Sequence, residues 1–206
     1  SDLPFGDSAI AAMSIVSRFM MFINSALIGF GQGFQPVCGF NFGAKRYDRV
    51  LEAFWFCVKV AITMLTCFGI IAFAISRPII TAFRREDLEV IRIGTLALRL
   101  QILTLPLQAW VIMVNMLTQS IGYGFRASLV AMGRQGLFLI PSLLILPNIC
   151  GILGVQLAQP VADVFTFALA TFIVVRVLEE LKTMREGQKM SEKAGRPDSH
   201  AGAQPL

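Results

Sequence analysis

The chain has 206 residues, 55% of them hydrophobic and only 15% charged, against about 25% charged in a soluble globular domain. With 17 Phe, 9 Met and a mean hydropathy of +0.68 it is too apolar for a disordered segment or an ordinary soluble fold. The net charge of +5 and pI near 9.3 do not point to nucleic acid, because the basic residues sit in short segments between apolar runs, as on a membrane surface.

Charge-free runs divide the chain. No Lys, Arg, Asp or Glu lies between Arg18 and Lys45, Lys59 and Arg77, Arg99 and Arg126, Arg134 and Asp163, or Asp163 and Arg176, gaps of roughly 26, 17, 26, 28 and 12 residues. A spanning helix needs about 20 mostly apolar residues. The last gap reaches that length when extended back across Asp163 to Gly151. Five transmembrane helices are predicted, at about 9–35, 50–76, 90–121, 126–146 and 151–181. The fold class is all-α integral membrane, since runs such as 58–75 lack the two-residue alternation of barrel strands. Residues 1–182 are expected to form one transmembrane unit and residues 183–206 a disordered cytoplasmic tail. The chain starts at Ser1 without a basic segment and short apolar core, so no signal peptide is expected and it reads as a piece of something longer.

In the first predicted span, Gly29 and Gly33 form one small-xxx-small pair and Gly39 and Gly43 another, a spacing that lets helices approach closely in lipid. Asn24 and Gln35 are eleven residues apart, about 20° from alignment at about 100° per residue, and face one side. Pro36 is expected to break the helix. A basic loop with Lys45, Arg46 and Arg49 follows. Beyond the second span, the segment 77–89 mixes Arg77, Arg84 and Arg85 with Glu86, Asp87 and Glu89.

The third span carries Gln101, Gln108, Asn115 and Gln119, spaced by seven, seven and four, which fall within about 40° of each other on an ideal helix. Amides facing lipid are costly. The row therefore faces a water-filled cavity or forms interhelical hydrogen bonds, and four amides on one stripe exceed what one helix contact needs. The fourth span contains Pro141 and ends in a charge-free loop at 147–151. The fifth places Gln156, Gln159, Asp163 and Thr166 on one face. Asp163, the most deeply placed acid, is either an ion site or a structural, hydrogen-bonded acid.

Basic residues set the orientation. Lys45, Arg46, Arg49, Arg126, Arg134, Lys182, Arg185, Lys189, Lys193 and Arg196 fall on one side, against Arg77, Arg84, Arg85 and Arg92 on the other. That ten-to-four count places the N-terminus outside and the tail in the cytoplasm. Cys38, Cys57, Cys67 and Cys150 form no Cys-x-x-Cys pair, and the only histidine, His200, is in the tail. No metal site, cofactor or nucleophile–base pair is expected, and the chain does not read as an enzyme.

The motif Gly29-Phe30-Gly31-Gln32-Gly33-Phe34-Gln35-Pro36, continuing to Gly39-Phe40-Asn41-Phe42-Gly43-Ala44-Lys45-Arg46-Tyr47, resembles the second-half signature of MATE (multidrug and toxic compound extrusion) transporters. Gln119-Ser120-Ile121-Gly122, Arg134-Gln135, Pro141, Leu146-Pro147 and Pro160-Val161-Ala162-Asp163 resemble later segments of the family in the same order. The resemblance implies a twelve-helix protein of two lobes, with this chain as helices eight to twelve and the N-terminal lobe missing. It implies antiport of drugs or organic cations against protons or sodium across a bacterial plasma membrane. Asn24, Gln35, Gln101, Gln108, Asn115 and Gln119 would then line the substrate cavity. Some members carry acids in helices eight and ten, but no acid lies between Asp7 and Asp48 or between Glu89 and Asp163. Coupling is therefore expected to reside in the absent lobe. A lipid-linked precursor flippase of the same superfamily and a non-transporting partner subunit are the alternatives.

Overall fold

A computed structural model describes residues 6–83 and 88–194 of the chain, and among them every regular element is helical. The helices are α1 (Gly6–Gly43), α2 (Tyr47–Ala74), α3 (Ser76–Phe83), α4 (Leu88–Leu103), α5 (Leu105–Ser120), α6 (Gly124–Met132), a π-helical turn (Gly133–Leu137), α7 (Leu139–Cys150) and α8 (Ile152–Ala194). Four helical stretches are long and apolar enough to cross a membrane, and α4–α5 makes a fifth as one bent span.

The core is built around α5. It packs against α1, α2, α6 and α8, and Leu105, Ala109, Met113, Val114 and Leu117 are all fully buried. A helix that is apolar on most sides belongs in the interior of a bundle. Phe54 of α2, Trp110 of α5 and Phe167 of α8 pack as one cluster of tilted rings, with centroids 6.1 and 6.4 Å apart, and Trp110 Nε1 donates to Thr171 Oγ1 at 3.0 Å. In contrast, α7 buries only Ser142 and leaves Leu144 and Ile149 exposed.

Several predicted boundaries shift, each for a local reason. Pro36 does not break α1, because a proline removes a single intrahelical bond and the neighbouring ones continue. The third span breaks at Thr104 with a bend of 50°. Pro106 has no N–H to give the Ile102 carbonyl and its ring crowds that carbonyl, so a new helix starts with the proline in its first turn. The segment 77–89 is helical through Phe83, while residues 84–87 lie outside the described part. Pro147 and Asn148 belong to α7, and the turn to α8 is concentrated at Gly151 (φ +58°, ψ −132°), a conformation open to glycine alone. A Cβ at Gly154 would overlap the Leu146 carbonyl, so glycine is also what lets α8 fold back on α7. Finally, α8 continues through the expected disordered tail to Ala194. Apart from Gly187, the segment from Glu179 to Ala194 is made mostly of good helix formers, and the next breakers, Gly195 and Pro197, lie outside the described residues.

The glycine pairs of α1 also change roles. Added Cβ atoms at Gly29, Gly33 and Gly43 would meet open space, whereas one at Gly31 would press on Met116 Cγ at 3.0 Å and one at Gly39 would meet the Ser120 carbonyl at 3.6 Å. Gly31 is therefore the residue that sets the close approach of α1 to α5.

Candidate functional site

The bend at Thr104 turns the start of α5 toward α8, and a buried polar cluster forms there. Asp163 is 2% exposed. Its Oδ2 accepts from Gln108 Nε2 at 2.7 Å and Thr104 Oγ1 at 3.0 Å, and its Oδ1 accepts from Gln159 Nε2 at 3.3 Å. The Arg134 guanidinium completes the set, with Nε 3.6 Å from Asp163 Oδ1. Arg134 Nη2 also donates to Gln108 Oε1 at 3.0 Å and to Asn24 Oδ1 at 3.3 Å. One arginine thereby links the fourth span to α1, α5 and α8.

The local sequence explains how Arg134 reaches this place. It lies in the π turn, where the helix is wider than an α-helix. The preceding residue, Gly133, packs so closely on α8 that a Cβ there would stand 3.2 Å from Leu169 Cδ2 and 3.6 Å from Thr166 Cγ2. Thr166 is less than one turn from Asp163, so the missing side chain at 133 sets the distance of the ion pair. Arg134 was expected on the cytoplasmic side with the loop charges. It is instead in the interior, its side chain 17% exposed, and the basic asymmetry falls to nine against four.

Thr104 adds a constraint on protons. Its hydroxyl has one hydrogen, and two acceptors lie within reach: Gln101 O at 2.9 Å and Asp163 Oδ2 at 3.0 Å. With Asp163 ionised, the two compete for that hydrogen. With Asp163 protonated, Oδ2 donates to Thr104 Oγ1 and Thr104 donates to Gln101 O, so both are satisfied.

The six amides of the expected cavity divide into two groups. Gln101 and Gln108, only 4% and 1% exposed, face packed protein at the bend. Asn24 is half-buried and bonded to Arg134. Farther along α5, Asn115 is half-buried with Oδ1 unpartnered, and Gln119 is exposed. Gln35 Nε2 donates to Gln119 Oε1 at 2.9 Å, joining α1 to α5. On the fifth span, the expected polar face turns inward: Gln156 Nε2 donates to Ile93 O at 3.0 Å, and Thr166 Oγ1 to Ala162 O at 2.7 Å.

The motif residues scatter. Gln32, Gly33, Pro36 and Gln135 are exposed, Asn41 Nδ2 donates to Val37 O at 2.8 Å, and Ala44 and Lys45 form the turn after Gly43. Pro141 is in the first turn of α7, where a proline is tolerated. Thr104 and Gly133 were missed in the sequence. Their signals were a hydroxyl two residues before a proline and an arginine between Gly133 and Gly136 inside an apolar stretch. Toward the opposite end of α1, a mostly apolar cavity of about 910 Å³ lies between Ile10, Ser14 and Arg18 on one side and Pro147, Ile152 and Val155 on the other.

A family model, MatE, matches residues 2–145. The chain belongs to the MatE family. Among curated proteins it is 25% identical over 177 residues to the multidrug export protein MepA of Staphylococcus haemolyticus, covering 86% of this chain and 38% of that protein. Among solved structures, the MATE multidrug transporter DinF-BH in complex with R6G is 35% identical with a TM-score of 0.67, over 80% of this chain and 36% of that one. The Vibrio cholerae MATE transporter VcmN in its bent form shares the fold at a TM-score of 0.79 and 19% identity, over 88% of this chain and 41% of that one. This MatE chain thus spans about two-fifths of the length of the relatives it matches, and those relatives are transporters and an export protein rather than enzymes.

Proposed function

We propose that this MatE chain supplies part of the second lobe of a secondary active antiporter that exports drugs or organic cations in exchange for protons or sodium. The observation that carries the reading is the pair of polar links from α1, Asn24 to Arg134 and Gln35 to Gln119, together with the half-buried Asn115 of α5, whose Oδ1 is unpartnered. An apolar cavity of about 910 Å³ adjoins the same helix α1, within the size of small-molecule sites. The names of MepA and of the DinF-BH complex support the substrate class. In this reading the amides hold a drug by hydrogen bonds, and Asp163 neutralises Arg134 so that the wall does not repel a cation. The buried cluster keeps the lobe rigid while the absent N-terminal lobe rocks against it, and an ion gradient shifts the preferred state.

Expressed alone, the chain is expected to give no ethidium efflux above an empty-vector control, and co-expression with a matching first lobe to restore it. Efflux by the chain alone would overturn the two-lobe reading. We further propose that the protein lies in a bacterial plasma membrane, with the 44–46 turn and the end of α8 cytoplasmic. A thiol engineered at Asn148 is then expected to react with an impermeant reagent added outside, and one at Arg46 to be spared. The reverse pattern would invert the orientation.

A further inference from the structure

Where α1 turns into α2, the backbone takes a conformation that disfavours ordinary side chains. Lys45 has φ +56°, in the left-handed region. The turn is pinned by Arg46 N donating to Asn41 O at 2.8 Å and Lys45 N to Phe42 O at 3.0 Å. Glycine would adopt this conformation freely, yet a lysine occupies it. Strain of this kind concentrates where a side chain has a task.

The far end of α8 comes alongside. Because α8 remains helical past its apolar part, Arg185 and Lys189, one turn apart, reach this turn. Lys45, Arg46, Arg49, Arg185 and Lys189 together line a recess of about 210 Å³. Asp48 is the one acid lining it, and its carboxylate contacts Arg185 Nη1 at 3.3 Å and Lys189 Nζ at 3.5 Å. Glu52 and Glu186 are exposed nearby but do not line it. Five cations thus face one carboxylate, and Arg185 Nε is buried with no acceptor. Arg46, at the N-cap of α2, makes no side-chain capping bond, so the positive end of that helix faces the same region.

We infer that this recess binds the phosphate of an anionic phospholipid. A phosphate supplies the acceptors that Asp48 alone cannot. The surface continues in a direction that suits a lipid: Phe56, on the same face of α2 two turns below Arg49, is 65% exposed, and Phe40, near the end of α1, is 75% exposed. The headgroup would sit in the recess and the acyl chains would run down this apolar surface. A soluble phosphate compound would have no use for it.

The full chain in lipid nanodiscs tests this by the midpoint of thermal unfolding. Adding phosphatidylglycerol to phosphatidylcholine is expected to raise the midpoint, and R185Q/K189Q to abolish the rise. In detergent, dioctanoyl-phosphatidylglycerol should bind about fivefold more weakly for each cation removed, and D48N should bind it more tightly. K45G separates the ligand from the backbone: relief of the left-handed strain should raise the midpoint in pure phosphatidylcholine while the gain from phosphatidylglycerol shrinks. Equal midpoints in the two lipids, or a full gain retained in both R185Q/K189Q and K45G, would overturn the site. A gain reproduced by inorganic phosphate at the same concentration would overturn the lipid as its occupant.

Discussion

Gln108 and Gln119 stand on the same face of α5, and the fold treats them oppositely. Gln108 is 1% exposed and exchanges hydrogen bonds with Asp163 and Arg134. Gln119 is exposed and is held by Gln35 alone. The bend at Thr104 brings the first half of α5 against α8, where Arg134 of the π turn reaches Gln108. After Gln119 the chain turns at Gly122 (φ +83°) into α6, and the amide stays exposed. Side chains of one type on one stripe thus take different tasks according to what packs over them. The buried half ties α5 to α8 and Arg134, and the open half is the part proposed above to meet a ligand.

The largest effect is expected where that division is deepest. Asp163→Ala leaves the Arg134 guanidinium buried without its counter-ion, a loss of about 3–5 kcal/mol measurable as unfolding free energy in mixed micelles. Asp163→Asn should lose less, because an amide oxygen in the place of Oδ2 can still accept from both Gln108 Nε2 and Thr104 Oγ1. Replacing both charges, as in R134M/D163L, should recover much of the Ala loss. If Asp163 is an ion site rather than a structural acid, Asp163→Asn in the complete transporter should abolish antiport as fully as Asp163→Ala. A smaller effect separates the two glutamines. Gln108→Ala should cost about 1–3 kcal/mol by leaving Asp163 and Arg134 short of a partner. Gln119→Ala should stay within about 0.5 kcal/mol and instead change which drugs are exported in the complete transporter. Equal stability losses would erase the distinction, and an unchanged drug-resistance spectrum for Gln119→Ala would remove α5 from the cavity wall.

Much of the architecture was legible as local pattern. Charge-free runs of span length predict five crossings, and the structure contains four long apolar helices and one bent pair. The polar face of the fifth span was readable from Gln156, Gln159, Asp163 and Thr166 at helical spacing, because three of these four side chains pack inward. Pro106 marked a perturbation of the third span, but not that its bend would aim Thr104 and Gln108 at one carboxylate.

Hydropathy and spacing are properties of one segment at a time, and they determined how many spans there are and which residues share a face. Which faces meet is a property of pairs of helices. By sequence Arg134 counts with the loop cations; in the fold Gly133 lets the π turn approach Leu169 and Thr166, which carries the guanidinium to Asp163. Gly31, rather than the regularly spaced Gly29 and Gly33, sets the contact of α1 with α5, since only its missing side chain lies opposite Met116. In lipid, apolar surface contributes little preference for one helix partner over another. The choice therefore falls to a few close contacts and buried polar bonds, and those exist only once the helices are side by side.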